Sequence, residues 1–151
     1  MNHINQTNSE CIDVCNELLR GERSAVEAYD IAIKKFSDEP KLNELSNIRN
    51  EHAVAIGILE VNIRSMRGEP DDDSGAWGTT VKMIQHTASF FGAESAIEAL
   101  QNGEKHGVDL YTKALSDGHV LPECKEMIRA ELLPRVNRHI VTLERLEELV
   151  D

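Results

Sequence analysis

The sequence contains an internal repeat whose spacing suits a duplicated pair of helices. Glu22, which follows a glycine, recurs 82 positions later as Glu104, which also follows a glycine. His52 recurs 87 positions later as His139. Apolar residues flank all of these at three- and four-residue intervals, which is the periodicity of an amphipathic helix. Each copy therefore predicts two helices joined as a hairpin, and the whole chain predicts four main helices.

Proline and glycine residues mark the boundaries of the predicted helices. Pro40 suits the first turn of a helix, and Gly68 followed by Pro70 is a typical helix end. Residues 9–151 are expected to form a single domain after a flexible polar tail at residues 1–8. The predicted helices cover residues 9–36, 40–67, 93–116 and 122–150, which gives hairpins at 9–67 and 93–150.

The connection between the two hairpins, residues 68–92, is far longer than the loops within them. Its acidic stretch Asp71-Asp72-Asp73 is expected to be a solvated loop, and a further short helix is predicted for residues 76–90. Short hairpin loops and one long crossover are the connectivity of ferritin-like proteins. The predicted fold is therefore all-α: a ferritin-like four-helix bundle from a duplicated hairpin, with an extra short helix in the crossover.

One proline falls inside the fourth predicted helix. Pro134 lacks a backbone N–H, and its ring clashes with the carbonyl four residues earlier, here that of Ala130. We therefore expect a kink at this point, close to His139.

The charge of the chain argues against several classes of partner. The formal net charge is −11, and the charges are dispersed along the sequence. Such an acidic surface repels nucleic acids and anionic lipids. No run of apolar residues is long enough to predict a membrane span, and the first ten residues lack the basic and apolar regions of a signal peptide. We expect a cytoplasmic protein that binds neither nucleic acid nor membrane, with a symmetric homodimer as the default assembly.

The three cysteines form neither a CxxC pair nor a disulfide framework. Cys11 and Cys15 lie one helical turn apart on an apolar face of the first predicted helix. Buried reduced thiols are the ordinary interpretation of such a pair, and a redox pair is the alternative.

Each predicted helix carries one ionisable residue on its apolar face. These are Glu22 and Glu104 on the first and third helices. On the second and fourth helices they are His52 and His139. Buried carboxylates and imidazoles are costly unless they are paired or bound to metal. All four stand near the middle of their helices, so we expect them at one level of the bundle. Because carboxylate and imidazole suit iron, manganese and zinc, this layer is a candidate metal site.

The other polar candidates are weaker. Tyr29 and Tyr111 lie two turns from the glutamates, and we interpret them as core aromatics whose hydroxyls reach the edge of the bundle. His3, His106 and His119 are predicted to be solvated.

Several segments in a fixed order support a resemblance to a known family. They are Gly21-Glu22, Arg67 to Pro70, Gly103-Glu104 with Tyr111 and Ala114-Leu115, Leu121-Pro122 and the region of His139. With them the chain resembles a family of small bacterial proteins that have a ferritin-like four-helix bundle and no settled activity. The resemblance covers nearly the whole chain. It implies the fold, and relatives in the wider superfamily suggest a link to iron or oxidative stress.

A di-iron site of the ferritin-like superfamily needs one Glu on each of two helices and a Glu-x-x-His on each of the other two. Glu22 and Glu104 match the single glutamates. The positions three residues before the two histidines hold Arg49 and Val136, so both bridging carboxylates are missing. Arg49 is expected to add positive charge near the site, and Glu51 lies about 100° around the helix from the neighbouring histidine. A di-iron oxidase is not expected.

Three interpretations of the Glu22, His52, Glu104 and His139 quartet stay open. In the first, the quartet binds a single Fe, Mn or Zn ion. In the second, it is a relic of paired charges that fixes the packing of the helices. In the third, it lines a cavity for a small ligand. The sequence thus predicts a metal-binding bundle linked to iron or oxidative stress, or alternatively a non-catalytic structural or stress-related bundle with a degenerate site. No phosphate loop or nucleophile motif predicts any other enzyme chemistry.

Overall fold

The computed structural model describes residues 2–36, 39–73 and 93–149, and within them the chain forms four helices and no strand. The predicted all-α class is confirmed. The predicted crossover helix at 76–90 lies outside the described residues. Each of the described helices is too short or too polar to cross a membrane. The helices are α1 Asn2–Ile33, α2 Glu39–Ser65, α3 Ala93–Ser116 and α4, which consists of the consecutive segments Pro122–Met127, Ile128–Leu132 and Leu133–Glu148.

The predicted boundaries of α2, α3 and α4 agree with the structure to within two residues, whereas those of α1 differ more. The helix begins at Asn2 rather than at Ser9, because residues 2–8 contain neither proline nor glycine to interrupt it. It ends at Ile33 rather than Phe36. There the N–H of Phe36 donates to the carbonyl of Ile33 at 3.3 Å, three residues earlier, so the last turn is tighter than an α-helix.

Two apolar clusters fill the core, one on each side of a polar layer. The first contains Cys11, Cys15, Leu18, Leu19, Ala55, Leu59, Ile63, Met66, Tyr111, Ala114, Val120, Cys124, Ile128, Leu132 and Val136. The second contains Ala28, Tyr29, Ala32, Leu45, Ile48, Ile97, Leu100, Leu143 and Leu146. Each fully buried leucine or isoleucine among them contributes roughly 1.5–3 kcal/mol to folding.

Every helix passes from one cluster to the other, and its buried ionisable residue lies at the crossing. On α1 the first cluster ends at Leu19 and the second begins at Ala28. On α4 the first ends at Val136 and the second begins at Leu143. On α2 and α3 the chain passes through the second cluster before it reaches the first. The apolar clusters therefore bring the polar residues of all the helices to one level.

The end of α2 is shaped by Arg67 as well as by Gly68. Arg67 has a positive φ of 65°, and the N–H of Gly68 donates to the carbonyl of Ile63 at 2.9 Å. This is the hydrogen bond of a Schellman cap, with Arg67 in the left-handed position that glycine usually takes. Gly68 is required for a different reason, because a Cβ there would lie 2.8 Å from Cγ2 of Ile12 on α1.

Polar side chains of α1 hold the segment that follows α2. Asn16 donates to the carbonyl of Glu69 at 3.1 Å and accepts from the N–H of Asp71 at 2.8 Å. Asp71 also forms an ion pair with Arg20, and its carbonyl accepts from Nε of Arg23 at 2.9 Å. The predicted loop is therefore exposed at Asp72 and Asp73, while Asp71 is half-buried and held against α1.

The irregularity predicted at Pro134 takes the form of a π-helical segment, Ile128–Leu132, that ends just before it. The N–H of Leu133 donates to the carbonyl of Ile128, five residues earlier rather than four. In a regular α-helix the ring of Pro134 would clash with the carbonyl of Ala130. A wider turn relieves this clash while the helix continues.

Candidate metal centre

The four side chains predicted for the site lie together in the middle of the bundle. Each has a relative exposure between 3% and 5%. One comes from each helix: Glu22 from α1, His52 from α2, Glu104 from α3 and His139 from α4. The expectation that they share one level agrees with their contacts.

Glu104 lies at the centre of this group because it contacts both histidines. Its Oε1 lies 2.6 Å from Nε2 of His52, and its Oε2 lies 3.0 Å from Nδ1 of His139. The two imidazole rings are close to each other, with centroids 4.7 Å apart. Glu22 contacts only one histidine, since its Oε2 lies 2.5 Å from Nδ1 of His52.

Glu51 is a member of the site that the sequence analysis set aside. Its Oε1 lies 2.6 Å from Nε2 of His139, although its side chain is 43% exposed. The offset of about 100° from His52 that argued against Glu51 directs it across the bundle to the histidine of α4. The signal for Glu51 in the sequence was its position next to His52. Its partner, however, is His139 on α4.

The two repeated tyrosines differ in their roles. The Tyr111 hydroxyl donates to Oε1 of Glu22 at 2.6 Å inside the buried layer, so its expected position at the bundle edge is wrong. The ring of Tyr29 stacks on His52 with centroids 5.5 Å apart. Its buried hydroxyl faces the Glu104 carboxylate but completes no hydrogen bond within the described residues. Burial, together with the carboxylates of Glu104 and Glu22, raises the pKa of both tyrosines well above the ordinary value.

The contacts within the layer favour the charged forms of its central residues. Burial alone would lower the pKa of His52, but the carboxylates of Glu104 and Glu22 outweigh it and raise that pKa well above its usual value. Burial alone would raise the pKa of Glu104, but His52 and His139 lower it to about 2. Without a metal, the centre therefore holds an imidazolium at His52 beside an ionised Glu104.

A small cavity adjoins the layer between α1 and α3. It has a volume of about 50 Å³. Glycines on both helices leave this space, and a Cβ added at Gly103 would meet nothing within 4 Å. Glu22, Glu104 and the Tyr29 and Tyr111 rings border it. Polar groups that face a space of this size are able to hold a water-sized molecule.

The donor set fits one metal ion better than two. One nitrogen of His52, one nitrogen of His139 and one oxygen of Glu104 all lie within 4.8 Å of one another. The two positions that lack bridging carboxylates supply no other ligand. Arg49 pairs with Asp30 through Nε at 3.0 Å in a contact exposed to solvent, so the expectation that it adds charge to the site is wrong. Val136 is buried and borders the cavity.

The other predicted histidines are not brought to the centre. His106 and His119 are exposed, and His119 contacts Glu10 and Asp117 at the surface. The side chain of His3 lies outside the described residues.

These features define an all-α helical bundle with a buried Glu and His layer that could hold a metal ion. The chain belongs to the family described as Domain of unknown function (DUF2383), whose model matches residues 10–117. The match includes Glu22, His52 and Glu104 and stops before α4 and His139. No curated protein and no solved structure matches the chain.

Proposed function

We propose that this protein is a ferritin-like four-helix bundle that binds one divalent transition-metal ion in its central layer. The proposed ligands are His52, His139 and Glu104. One observation carries the proposal: each imidazole has a second carboxylate on the nitrogen turned away from Glu104. These carboxylates are Glu22 for His52 and Glu51 for His139. Carboxylates in that position fix the tautomer and the orientation of metal-binding histidines.

The ligand set favours a metal of the first transition series. Two imidazoles and one carboxylate are typical of mononuclear non-haem Fe(II) sites, and Mn and Zn also accept these ligands. A bound ion would supply Lewis-acid or redox chemistry beside the small cavity. We propose that the protein acts in the cytoplasm and has a role in iron handling or oxidative stress. The ligand set supports the link to iron.

The remaining residues of the layer would position the ligands and keep bulk water out. Glu22 would accept a hydrogen bond from the Nδ1–H of His52, while the Tyr111 hydroxyl donates to the other oxygen of that carboxylate. Glu51 would do the same for Nε2 of His139 from the edge of the bundle. Because the positions of both bridging carboxylates hold Arg49 and Val136, two-metal oxidase activity is not part of the proposal.

A second function is favoured by a different observation. Both ring nitrogens of His52 already lie within 2.5 Å and 2.6 Å of carboxylate oxygens, so a doubly protonated ring satisfies the layer without a metal. In that case the charges fix the packing of the helices, and the protein is a non-catalytic structural or stress-related bundle with a degenerate site.

Metal content distinguishes the two functions. The full chain is purified without added metal, equilibrated with Fe(II), Mn(II) or Zn(II) under argon, and desalted. We expect about one ion per chain by elemental analysis, and its loss in both His52→Ala and His139→Ala. His119→Ala is the matched control, because that histidine also contacts two carboxylates but is exposed.

Three results would decide against metal binding by the central layer: a wild-type chain that stays metal-free with all three ions, Fe(II) or Mn(II) retained in the two buried-histidine variants, or metal lost equally in His119→Ala. The first result, combined with a large loss of stability in His52→Ala, would support the structural bundle instead.

A further inference from the structure

All three cysteines of the chain meet at one point of the core. Cys11 and Cys15 come from α1, and Cys124 comes from the first turns of α4. Their sulfur atoms lie within 4.8 Å of one another, and those of Cys11 and Cys124 are 3.5 Å apart. Each residue is at most 1% exposed, and none is in a disulfide. From the sequence, only Cys11 and Cys15 were expected to lie together, because nothing in it links Cys124 to that pair.

Two hydrogen-bond donors point at these sulfurs. The amide of Asn62 on α2 lies 3.4 Å from Sγ of Cys15 and 3.2 Å from Sγ of Cys124. The backbone N–H of Leu121, just before α4, lies 3.5 Å from Sγ of Cys11. Donors around sulfur stabilise the thiolate form, which is the form that binds metals. A cluster that served packing alone would have no need of an amide directed into it.

The distances suit a single ion held by three sulfurs. At a metal–sulfur distance of about 2.3 Å, three sulfurs in a plane around an ion lie about 4.0 Å apart. The observed sulfur atoms lie no more than 4.8 Å apart, so small rotations of the side chains would be enough to close the site. The cysteines belong to the first apolar cluster, and the side-chain oxygen of Asn62 lies 3.6 Å from Sγ of Cys124.

The protonation of the cluster is uneven. Hydrogen bonds from Cys11, Cys15 and Asn62 lower the pKa of Cys124 against the opposing effect of burial. The pKa values of Cys11 and Cys15 are raised, chiefly by their contacts with the other thiols. A metal ion that binds here would displace the remaining thiol protons of the three cysteines.

We propose that Cys11, Cys15 and Cys124 form a second metal site, selective for a soft monovalent ion of the Cu(I) type. Three sulfurs suffice for Cu(I), whereas Zn(II) almost always takes a fourth ligand. Fe(II) and Mn(II) prefer the nitrogen and oxygen donors of the Glu and His layer. Cys15 is separated from Glu22 by about 10 Å along α1, so the two sites are independent. Asn62 also borders an open groove with Met127, so the cluster is one side chain away from solvent.

Transfer of Cu(I) from a coloured chelator to the reduced full chain, without oxygen, tests this site. We expect one Cu(I) per chain. Replacement of any one cysteine by alanine should weaken binding at least tenfold, with folding checked by circular dichroism. His106→Ala should bind Cu(I) as the wild type does, because this histidine is exposed and belongs to neither site.

Wild-type protein alone gives a second test that needs no variant. X-ray absorption at the copper edge should show about three sulfur neighbours near 2.3 Å. The proposal is overturned by the absence of transfer, by a Cys15→Ala variant that binds Cu(I) as tightly as the wild type, or by nitrogen and oxygen neighbours. It is also overturned if the reduced chain binds no Cu(I) while mild peroxide treatment joins Cys11 to Cys124, since the cluster would then be a redox pair.

Discussion

The two hairpins of this bundle share a sequence pattern but contribute unequally to its centre. In the second hairpin, Glu104 contacts both histidines. In the first hairpin, Glu22 contacts one histidine and a tyrosine hydroxyl. The repeated tyrosines differ as well, since Tyr111 donates to a carboxylate and Tyr29 has no hydrogen-bond partner within the described residues. A duplicated sequence has therefore produced an asymmetric site with one central ligand and one supporting carboxylate.

The second hairpin also has more residues than the first between its helix-starting proline and its buried histidine. His52 follows Pro40 by 12 residues, whereas His139 follows Pro122 by 17. The added residues lengthen the start of α4, which includes the π-helical segment and Cys124. The hairpins thus diverge most in the first apolar cluster, where the three cysteines meet.

Replacement of the two glutamates gives the largest expected difference between the hairpins. Glu104→Gln leaves two buried histidines without their shared carboxylate, so we expect a loss of about 3–5 kcal/mol in the unfolding free energy of the metal-free protein. Glu22→Gln removes fewer contacts and should cost about 1.5–3 kcal/mol. Urea unfolding at neutral pH measures both values. Equal losses would contradict the central position assigned to Glu104.

Metal affinity sharpens the same comparison. If the central layer binds a metal, Glu104→Gln removes a ligand and should weaken binding more than 100-fold. Glu22→Gln removes only the carboxylate behind His52, and such changes typically cost about 10–100-fold. Competition with a chelator for Fe(II) under argon measures the two effects. A greater loss in Glu22→Gln would show that the roles of the two glutamates are reversed.

The two glutamates should also differ in their effect on the pH dependence of stability, and this difference is expected to be somewhat smaller. The pKa of Glu104 is lowered from 4.5 to about 2, so its contribution is present above pH 4.5 and is lost as the pH falls towards 2. That loss amounts to about 3 kcal/mol. The pKa of His52 is raised above 6.5, so its contribution is complete below pH 6.5 and is lost as the pH rises through the raised value.

Metal-free protein should therefore be most stable between about pH 4.5 and 6.5, as measured by urea unfolding across the pH range. Glu104→Gln should flatten the acid side of this profile, while Glu22→Gln should keep more of it. An unchanged acid side in Glu104→Gln would mean that other carboxylates determine the stability at low pH.

The sequence predicted the parts of this structure that depend on local periodicity. The limits of α3 were predicted as Ala93 and Ser116, and the four buried ionisable residues were all identified. It did not predict contacts that depend on how one helix is rotated against another. Glu51 reaches α4 rather than its own neighbour, and Cys124 meets cysteines from the other end of the chain. The domain limits and the homodimer stay predictions.

The smallest expected effect tests the two tyrosines. Tyr111→Phe leaves Oε1 of Glu22 without its hydroxyl donor in a buried layer, so we expect a loss of about 1.5–3 kcal/mol. Tyr29→Phe removes a hydroxyl that completes no hydrogen bond within the described residues and keeps the ring that stacks on His52, so stability should change by less than about 1 kcal/mol. The double variant tests whether the two tyrosines are coupled, because both face the carboxylates of Glu22 and Glu104. If Tyr29→Phe proved as costly as Tyr111→Phe, the Tyr29 hydroxyl would form a bond to Glu104 or to a molecule in the cavity, and the hairpins would be more alike than their contacts indicate.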